Sequence, residues 1–295
     1  MADINRTTSI TLPSDISNEI LQKTQEASAV MQMARHINLP GRGLTIPVIT
    51  GDPTAAWVSE TAAKPVSNST LNTKLMQAYK IAVIETFSKE FVRDAAALYQ
   101  ALVQRLPYSL SAVFDSTVIG ATAVPGNNFD TFGSCTAQSI LPGQSGTGTY
   151  AGLVAADTDI SVHGGIMNGI ALAPQARGIL LAATDTTGRP LFVNSTAEGA
   201  IDRILGAPTH MNKGLYKAGT QSAPAVVGVA GDWTQALYGT VAGVEISVSD
   251  TATLTSGQTT INLWQQNMVA VRAEIEVGFR ADTSVFNLLT GATAS

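Results

Sequence analysis

A long polar segment between two strand-like segments constrains the fold of this chain more than any other feature. Residues 51–74 read GDPTAAWVSETAAKPVSNSTLNTK and lie between LTIPVIT and AYKIAVIETF. They follow neither a helical nor a strand period, and Trp57 is their one aromatic residue. Compact domains rarely keep about two dozen residues without regular structure unless the segment is functional or disordered. The segment is therefore either a projecting arm or a disordered loop.

The two flanking segments are predicted to be strands. Tyr79, Ile81 and Val83 alternate with the residues between them, which is a period of two. Pro47 confines LTIPVIT to an edge strand or an extended arm, because proline donates no hydrogen bond to a ladder. The two strands could pair as a long hairpin whose outer end reaches about 40 Å, at about 3.3 Å per residue. Such a projection has no core of its own and needs a partner surface.

The strongest helix prediction covers RDAAALYQALVQRLPYSLSAVFDSTVIGA. Asp94 is the candidate N-cap and Gly120 the candidate end. Pro107 is expected to kink or divide the helix, because proline removes a backbone donor and clashes with the preceding turn. One apolar stripe at helical spacing marks the face expected to be buried: Leu98, Leu102, Leu106, Leu110, Val113, Phe114 and Val118.

The rest of the chain mixes short helices and strands, which predicts an α+β fold. An N-terminal arm leads into a short helix capped by Ser14 or Asp15, and PGRG then interrupts the chain. PGNNFDTFGSCTAQSILPGQSGTGT, residues 125–149, is predicted to be loop. The later segments are helices YAGLVAADTDISVHGG and APQARGILLAATD and strands PLFVN, APAVVGVAGDW, ALYGTVAG and VEISVSD. The helical spacing of the N-terminal helix rests on Ile16, Ile20, Ala27, Val30 and Met31.

The run NMVAVRAEIEVGFR is predicted to be a long, half-buried strand that closes the chain. Glu274 and Glu276 point to its polar face together with Arg272 and Arg280. We interpret that face as solvated or as forming ion pairs between subunits. The apolar face consists of Val269, Val271, Ala273, Ile275, Val277 and Phe279.

Charge and composition limit the possible partners. Charged residues make up 13 % of the chain, about half of the roughly 25 % of an average soluble protein. Either much of the surface is covered by other copies, or the protein has a bland Ser/Thr-rich β surface. The net charge is −5 without any Lys/Arg run, which argues against specific nucleic-acid binding. The sequence shows no signal peptide and no apolar run of about 18 residues, so we expect a soluble protein made in the cytoplasm.

The sequence contains no recognisable catalytic, cofactor or metal site. His36, His163 and His210 lack partners at metal-ligand spacing. GQSGTGTYAG lacks the spacing and the preceding strand of a nucleotide-binding loop. Cys135 is the single cysteine, so it forms no intrachain disulfide, and we interpret it as a bystander thiol. A long arm, a long helix, few charges and no active site favour a structural protein that assembles.

The order of these elements resembles the major capsid proteins of tailed bacteriophages with the Hong Kong ninety-seven fold. TIPVITGDPTAAWVSETAAKPVSN followed by KIAVIETFSKEFVRDA is similar to the extended E-loop of that family leading into its spine helix. VVGVAGDWTQALYGTVAGVEISVSD is similar to a strand segment with a Gly-Asp-aromatic motif, and INLWQQNMVAVRAEIEVGFR to the closing strand of the peripheral domain. The resemblance covers nearly the whole chain.

The resemblance implies an α+β capsid fold with five regions. These are an N-terminal arm and short helix (1–40), an E-loop hairpin (41–87), the spine helix with part of the peripheral domain (88–149), an axial domain (150–255) and the closing strand of the peripheral domain (256–295). The function implied is self-assembly, as pentamers and hexamers, into an icosahedral shell around the double-stranded DNA of a tailed phage. The alternatives are an encapsulin-type nanocompartment shell and, more remotely, a hydrolase or carbohydrate-binding protein with a mobile lid.

The resemblance also implies the contact residues. The E-loop would lie across a neighbouring subunit with Trp57 as a buried anchor, although a disordered loop with an accidental tryptophan is the alternative. The implied E-loop contacts are Pro53, Trp57, Glu60, Lys64, Asn68 and Lys74, and the implied packing face of the spine helix is Leu98, Leu102, Leu106, Leu110 and Phe114.

The implied partners are other copies of the chain, a portal protein and non-specifically bound DNA, with no membrane. A cement protein is a further possible partner. The arm follows Met1 at once, so we expect a separate scaffolding protein or none. Lys64 and Lys74 do not match the cross-linking motif of some family members, so we expect no covalent cross-link. We expect the protein in the virion capsid, assembled in the host cytoplasm.

Overall fold

The computed structural model describes residues 22–41, 43–51, 57–59, 64, 66, 70–89, 95–142, 148–184, 191–192, 202–256 and 259–293. The helices are α1 (Ala29–Met33), α2 (Ala95–Val118), α3 (Thr149–Val162) and α4 (Pro174–Ala182). The strands are β1 (Arg35–Asn38), β2 (Leu44–Gly51), β3 (Thr70–Met76), β4 (Tyr79–Ser88), β5 (Thr136–Ser139), β6 (Gly169–Leu172), β7 (Arg203–Ile204), β8 (Ala207–Met211), β9 (Pro224–Gly231), β10 (Ala236–Thr240), β11 (Glu245–Ser249), β12 (Thr253–Ser256), β13 (Thr259–Asn262), β14 (Met268–Ala281) and β15 (Phe286–Thr293).

The first sheet is built around β14. Its five strands follow the order β1-β10-β14-β11, and β4 pairs along the opposite edge of β14. The predicted apolar face of β14 is buried at every position from Val269 to Phe279. The long alternating strand is therefore confirmed, and it lies at the centre of the sheet.

The predicted pairing of the two early strands is wrong. β4 pairs with β14, with Ile81 opposite Ile275 and Val83 opposite Ala273, while β2 pairs with β3 instead. Burial explains this choice, because the apolar face of β4 joins that of β14 over the long helix. Pairing with β2 would leave that face without this cover.

The long helix α2 packs the described part of its predicted stripe, apart from Val113, against the core. Leu106, Leu110 and Phe114 are fully buried, whereas Val113 is 45 % exposed and does not belong to the buried face. Pro107 lies inside one continuous helix and does not divide it. A proline inside a helix costs about 3 kcal/mol, and burial of the leucines on both sides of Pro107 offsets this cost.

The ends of α2 and the short N-terminal helix follow the predictions where they are described. Gly120 has φ +79°, the left-handed conformation that ends a helix, whereas Asp94 lies outside the described residues. Residues 22–27 are helical, and α1 follows with Ser28 as its N-cap. Ser14, Asp15, Ile16 and Ile20 also lie outside the described residues.

The second sheet draws strands from distant parts of the chain. Its order is β5-β15-β9-β6-β8-β7, and α3 and α4 match the two predicted helices. The segment predicted as loop, residues 125–149, contributes β5, and β15 follows the strand predicted to close the chain. β5 and β15 pair with segments that are distant in the sequence, so local sequence patterns did not identify them as strands. PLFVN lies mostly outside the described residues.

One aromatic cluster connects the two sheets. Phe279 of β14 lies 5.5 Å from Phe132, measured between ring centroids, and Phe132 stacks on Phe286 of β15 at 4.4 Å. Trp233 completes the cluster, 5.3 Å from Phe286. Aromatic pairs at these distances add about 0.5–1.5 kcal/mol each beyond their buried area. The sheets therefore share a continuous core that fixes the base from which the hairpin β2–β3 projects.

Candidate inter-subunit surface

The hairpin formed by β2 and β3 projects from the first sheet as a two-stranded ladder. Its register runs from Leu44 opposite Met76 to Gly51 opposite Thr70, and within the described residues neither strand pairs with a further one. Part of the segment predicted to lack a strand period, residues 70–74, therefore belongs to β3. A two-stranded ladder without a covering layer is marginally stable in water, so its stability must come from its base or from a partner.

The described residues beyond the ladder are exposed. Trp57 and Val66 have almost no protein cover, and Lys64 is also exposed. An aromatic side chain of this size buries about 150–250 Å² when it is covered. An exposed tryptophan on a projecting arm is therefore a candidate anchor for another molecule.

The base of the hairpin is held by one arginine of β14. Arg280 donates from Nε and Nη2 to the carbonyl oxygen of Leu75, at 2.9 and 2.6 Å. Its Nη1 donates to Asp130 Oδ1 at 2.7 Å, and its Nη2 also donates to Asn128 Oδ1 at 3.0 Å. With Lys74, these residues form the hairpin base cluster, which joins β3 and β14 to residues 128–130.

Asp130 ties the same cluster to the backbone of β14. Its Oδ2 accepts a hydrogen bond from the amide of Ala281 at 3.1 Å and lies 3.7 Å from Lys74 Nζ. Lys74 Nζ also donates to the carbonyl oxygen of Ala281 at 3.2 Å. The side chains of Arg280 and Asp130 are only 11 % and 19 % exposed, so solvent screens their ion pair less than a surface pair. The hairpin therefore leaves the body of the protein in a fixed direction.

Close backbone contacts reinforce this direction. Gly43 has φ +84°, and a Cβ atom there would lie 2.6 Å from the carbonyl oxygen of Met76. A Cβ atom on Gly278 of β14 would lie 2.6 Å from the carbonyl oxygen of Gln77. Both approaches exclude a Cβ atom, and Gly43 also needs the left-handed conformation that favours glycine. The end of β3 therefore lies directly against β14 at Gly278.

The structure separates the six predicted E-loop contacts. Trp57 and Lys64 are exposed on the arm, whereas Lys74 lies at its base and bonds within the chain. Pro53, Glu60 and Asn68 lie outside the described residues. Of the predicted spine-helix face, Leu106, Leu110 and Phe114 are buried, and the side chains of Leu98 and Leu102 lie outside the described part.

Sequence reasoning missed the main members of the hairpin base cluster. It placed Arg280 with the polar face of β14, and it treated Asn128 and Asp130 as loop residues. The segment NNFDTF does contain a signal, because polar residues flank Phe129, which is buried. That pattern indicates a segment packed on the core, but it does not identify Arg280 as its partner.

The polar face of β14 forms ion pairs within the chain. Lys80 of β4 lies 2.9 Å from Glu274 and 3.7 Å from Glu276, and Arg272 lies 3.1 Å from Glu274. The hydrogen bond from Lys80 lowers the pKa of Glu274. These glutamates therefore balance cations on their own sheet.

His36 and Cys135 have partners within the chain, and the Cys135 thiol donates to the carbonyl oxygen of Thr283. His36 Nε2 lies 2.8 Å from Thr240 Oγ1, and burial lowers the pKa of His36. Burial raises the pKa of the Cys135 thiol to about 12, so the thiol is not activated as a nucleophile.

The described residues contain no group of three or more His, Cys, Asp or Glu side chains arranged to hold a metal ion. Among them, no helix combines the length and apolar character needed to span a membrane.

These features define a class of protein: an α+β chain with two large sheets and a separate two-stranded hairpin whose described tip residues are exposed. The sequence profile described as Phage capsid family matches residues 8–283. The chain therefore belongs to the phage capsid family, which confirms the family predicted from the sequence.

Individual relatives agree with this assignment. The chain is 31 % identical to the probable major capsid protein gp17 of Mycobacterium phage L5, over 95 % of this chain and 89 % of the relative. It is 25 % identical to the major capsid protein of Staphylococcus phage 80alpha, over 96 % of this chain and 85 % of the relative. A chain in a solved structure of Mycobacterium phage Cain has a TM-score of 0.73 and 20 % identity, with 91 % of this chain and 92 % of that chain covered. The predicted capsid fold is thereby confirmed.

Proposed function

We propose that this protein is a major capsid protein that self-assembles, as pentamers and hexamers, into the icosahedral shell around the double-stranded DNA genome of a tailed phage. The observation that carries the proposal is the hairpin β2–β3, fixed at its base by Arg280 and bearing the exposed Trp57. Such an arm gains its stability by lying on another copy of the chain. The names of the curated relatives support the same role.

In this proposal the hairpin lies across the neighbouring subunit of the same capsomer. Trp57 supplies the apolar anchor, because buried aromatic residues commonly dominate protein interfaces. Pro53, Glu60, Lys64 and Asn68 supply the contacts around it. Lys74 has a different role from these residues, because it fixes the base of the arm within its own subunit.

The proposal extends to the partners of the shell. We expect a portal protein, a separate scaffolding protein or none, and a cement protein as a possible addition. The net charge of −5 suits a shell that contacts packaged DNA only weakly and without sequence specificity. The location is the virion capsid, after assembly in the host cytoplasm. The role is structural and includes no catalysis.

Neither alternative is supported by the relatives described above. An encapsulin-type shell shares the fold, but the curated relatives are named as phage capsid proteins. A hydrolase or carbohydrate-binding protein would need a convergent polar site. The polar clusters described above are instead satisfied by hydrogen bonds and ion pairs within the chain.

Electron microscopy of the purified chain tests the proposal. The intact protein is expected to form closed shells, sheets or capsomer rings, and a variant in which a two-residue Asn-Gly turn replaces residues 52–69 is expected to form none. The deletion leaves the β2–β3 ladder and the hairpin base cluster in place, so circular dichroism should show the same folded body. A uniform monomer from the intact chain, unchanged after lysate from infected cells supplies a scaffold, would contradict the proposal.

The shell is expected to hold together without covalent cross-links. Lys74, one of the two lysines considered for a cross-link, already bonds to Ala281 and Asp130 within its own subunit. Assembled shells boiled in detergent should therefore run on a denaturing gel as one monomer band. A ladder of higher bands would show that the expectation is wrong.

A further inference from the structure

A buried carboxylate in the long helix holds the N-terminal part of the described chain. Residues 22–34, here called the N-terminal strap, pack beside α2 and include the buried Ala29, Val30 and Met31. Asp115 of α2 faces the strap and is completely buried. A buried ionised carboxylate is costly unless hydrogen bonds or a cation compensate for the lost water.

The strap supplies the hydrogen bonds. The Ser28 hydroxyl donates to Asp115 Oδ1 at 2.6 Å, and the amide of Ala29 donates to Asp115 Oδ2 at 3.1 Å. Ser28 Oγ in turn accepts a hydrogen bond from the amide of Met31 at 3.0 Å, which caps α1. Each oxygen of Asp115 therefore has a donor from the strap.

Within the part of the chain that the structure describes, no cation takes part in this contact. The elements packed around Asp115 carry three charged residues, Lys23 and Glu26 on the strap and Lys213 on the turn that approaches α2 at Gly214. None of these charges shifts the pKa of Asp115. Burial raises that pKa to about 7, against the opposing effect of the hydrogen bonds from the strap.

We propose that Asp115 is a proton-controlled latch that docks the N-terminal strap more tightly on the long helix in mildly acidic than in alkaline solution. The latch acts inside one subunit, so it does not depend on the role of the hairpin or on shell assembly. It needs only the buried carboxyl group, its donors Ser28, Ala29 and Val30 on the strap, and the absence of a compensating cation among the residues that the structure describes.

Proton linkage gives the direction of the effect. The pKa of Asp115 is about 7 when the strap is docked and returns towards its ordinary value of 3.8 when the strap moves away and water reaches the carboxylate. Between these two values the docked state binds a proton that the undocked state releases. Docking therefore strengthens as the pH falls from about 7 towards 4, and the effect is absent above 7. Between pH 8.5 and 5.5 the docking equilibrium should change by about 30-fold.

Amide hydrogen exchange on the purified, unassembled full chain tests the latch. Protection of the α1 amides is compared at pH 5.5 and 8.5, after correction for the intrinsic exchange rate, with the α3 amides as a reference for global unfolding. We expect about 30-fold greater protection of α1 at pH 5.5, beyond any change in α3. A difference below twofold would overturn the proposal.

Three variants assign the effect to Asp115. Asp115→Asn cannot titrate, so the pH dependence of α1 protection should disappear. Ser28→Ala keeps the carboxyl group but removes a donor that favours its ionised form, so the midpoint should move to higher pH. Asp250→Asn, at an exposed aspartate paired with Lys89 at 3.2 Å, should behave like the unmodified chain. Retention of the full pH dependence in Asp115→Asn, or an unmoved midpoint in Ser28→Ala, would contradict the latch.

Discussion

An Arg280→Ala variant is expected to lose about 3 kcal/mol of its free energy of unfolding and to form no closed shells. The substitution removes both donors to the Leu75 carbonyl and leaves Asp130, 19 % exposed, without its main cation. Removing one partner of a largely buried ion pair costs about 3–5 kcal/mol. Lys74 and the Ala281 amide retain part of the interaction with Asp130, which places the expected value at the lower end. Denaturant unfolding of the unassembled chain measures it.

Arg272→Ala is the matched control on the same strand and the same polar face. Its side chain is 48 % exposed and pairs only with Glu274 among the described contacts, so the loss should stay below about 1 kcal/mol. Arg280→Lys keeps the charge but cannot contact Leu75, Asn128 and Asp130 together, so its stability should lie between the two. Equal losses in the two alanine variants would mean that the hairpin base cluster does not fix the arm.

A Trp57→Ala variant is expected to fold normally and to lose assembly. The indole is exposed in the single subunit, so its removal should change the free energy of unfolding by less than about 0.5 kcal/mol. In the proposed shell the same side chain is buried on a neighbour, where an anchor residue contributes about 2–4 kcal/mol. Every subunit makes this contact once, so the loss applies to the whole lattice. Sedimentation velocity separates shells from free subunits and measures the outcome.

Trp57→Phe and Lys64→Ala serve as the controls for this variant. Phenylalanine keeps most of the apolar area and should still support shells, at a higher protein concentration. Lys64 is also exposed on the arm, but its removal leaves the aromatic anchor intact. If Trp57→Ala assembles as well as the unmodified chain, the anchor role of Trp57 is wrong, even if the shell itself is confirmed.

The parts of the fold that depend on local spacing could be predicted from the sequence. The stripe through Leu106, Leu110 and Phe114 repeats at helical intervals, and those residues are buried as expected. The alternation along β14 identified its apolar face correctly. Such patterns show which side of a helix or strand faces the core, and they can be read from residues that lie close together in the sequence.

The parts that depend on a distant partner could not be predicted in the same way. The alternation of Tyr79, Ile81 and Val83 predicts a strand, but any strand with a compatible apolar face could pair with it. Its partner β14 lies nearly 200 residues further along the chain. The ion pair of Arg280 and Asp130 is also long-range, because its members are 150 positions apart in the sequence. No spacing rule reaches across such distances.

The position of the candidate inter-subunit surface could be predicted from the sequence, but the residues that hold the base of the hairpin could not. The lone Trp57 in a polar segment indicated an arm that needs a partner. The residues that hold the base of the arm lie in β14 and in a segment that was predicted to be loop. The sequence does not show which side chain donates to the Leu75 carbonyl group, because a carbonyl oxygen can accept a hydrogen bond from many different donors. The buried Asp115 was also not singled out, since a single aspartate in an apolar stripe has no distinctive motif.

The strand order has a consequence for synthesis on the ribosome. β14 is the strand to which β4, β10 and β11 all pair, and β15 joins β5 to β9. Neither large sheet can close before residues 268–293 have emerged, and pairings between distant segments form slowly. A nascent chain therefore carries no finished body on which another arm could lie. We therefore expect subunits to meet as finished bodies only after residues 268–293 have left the ribosome.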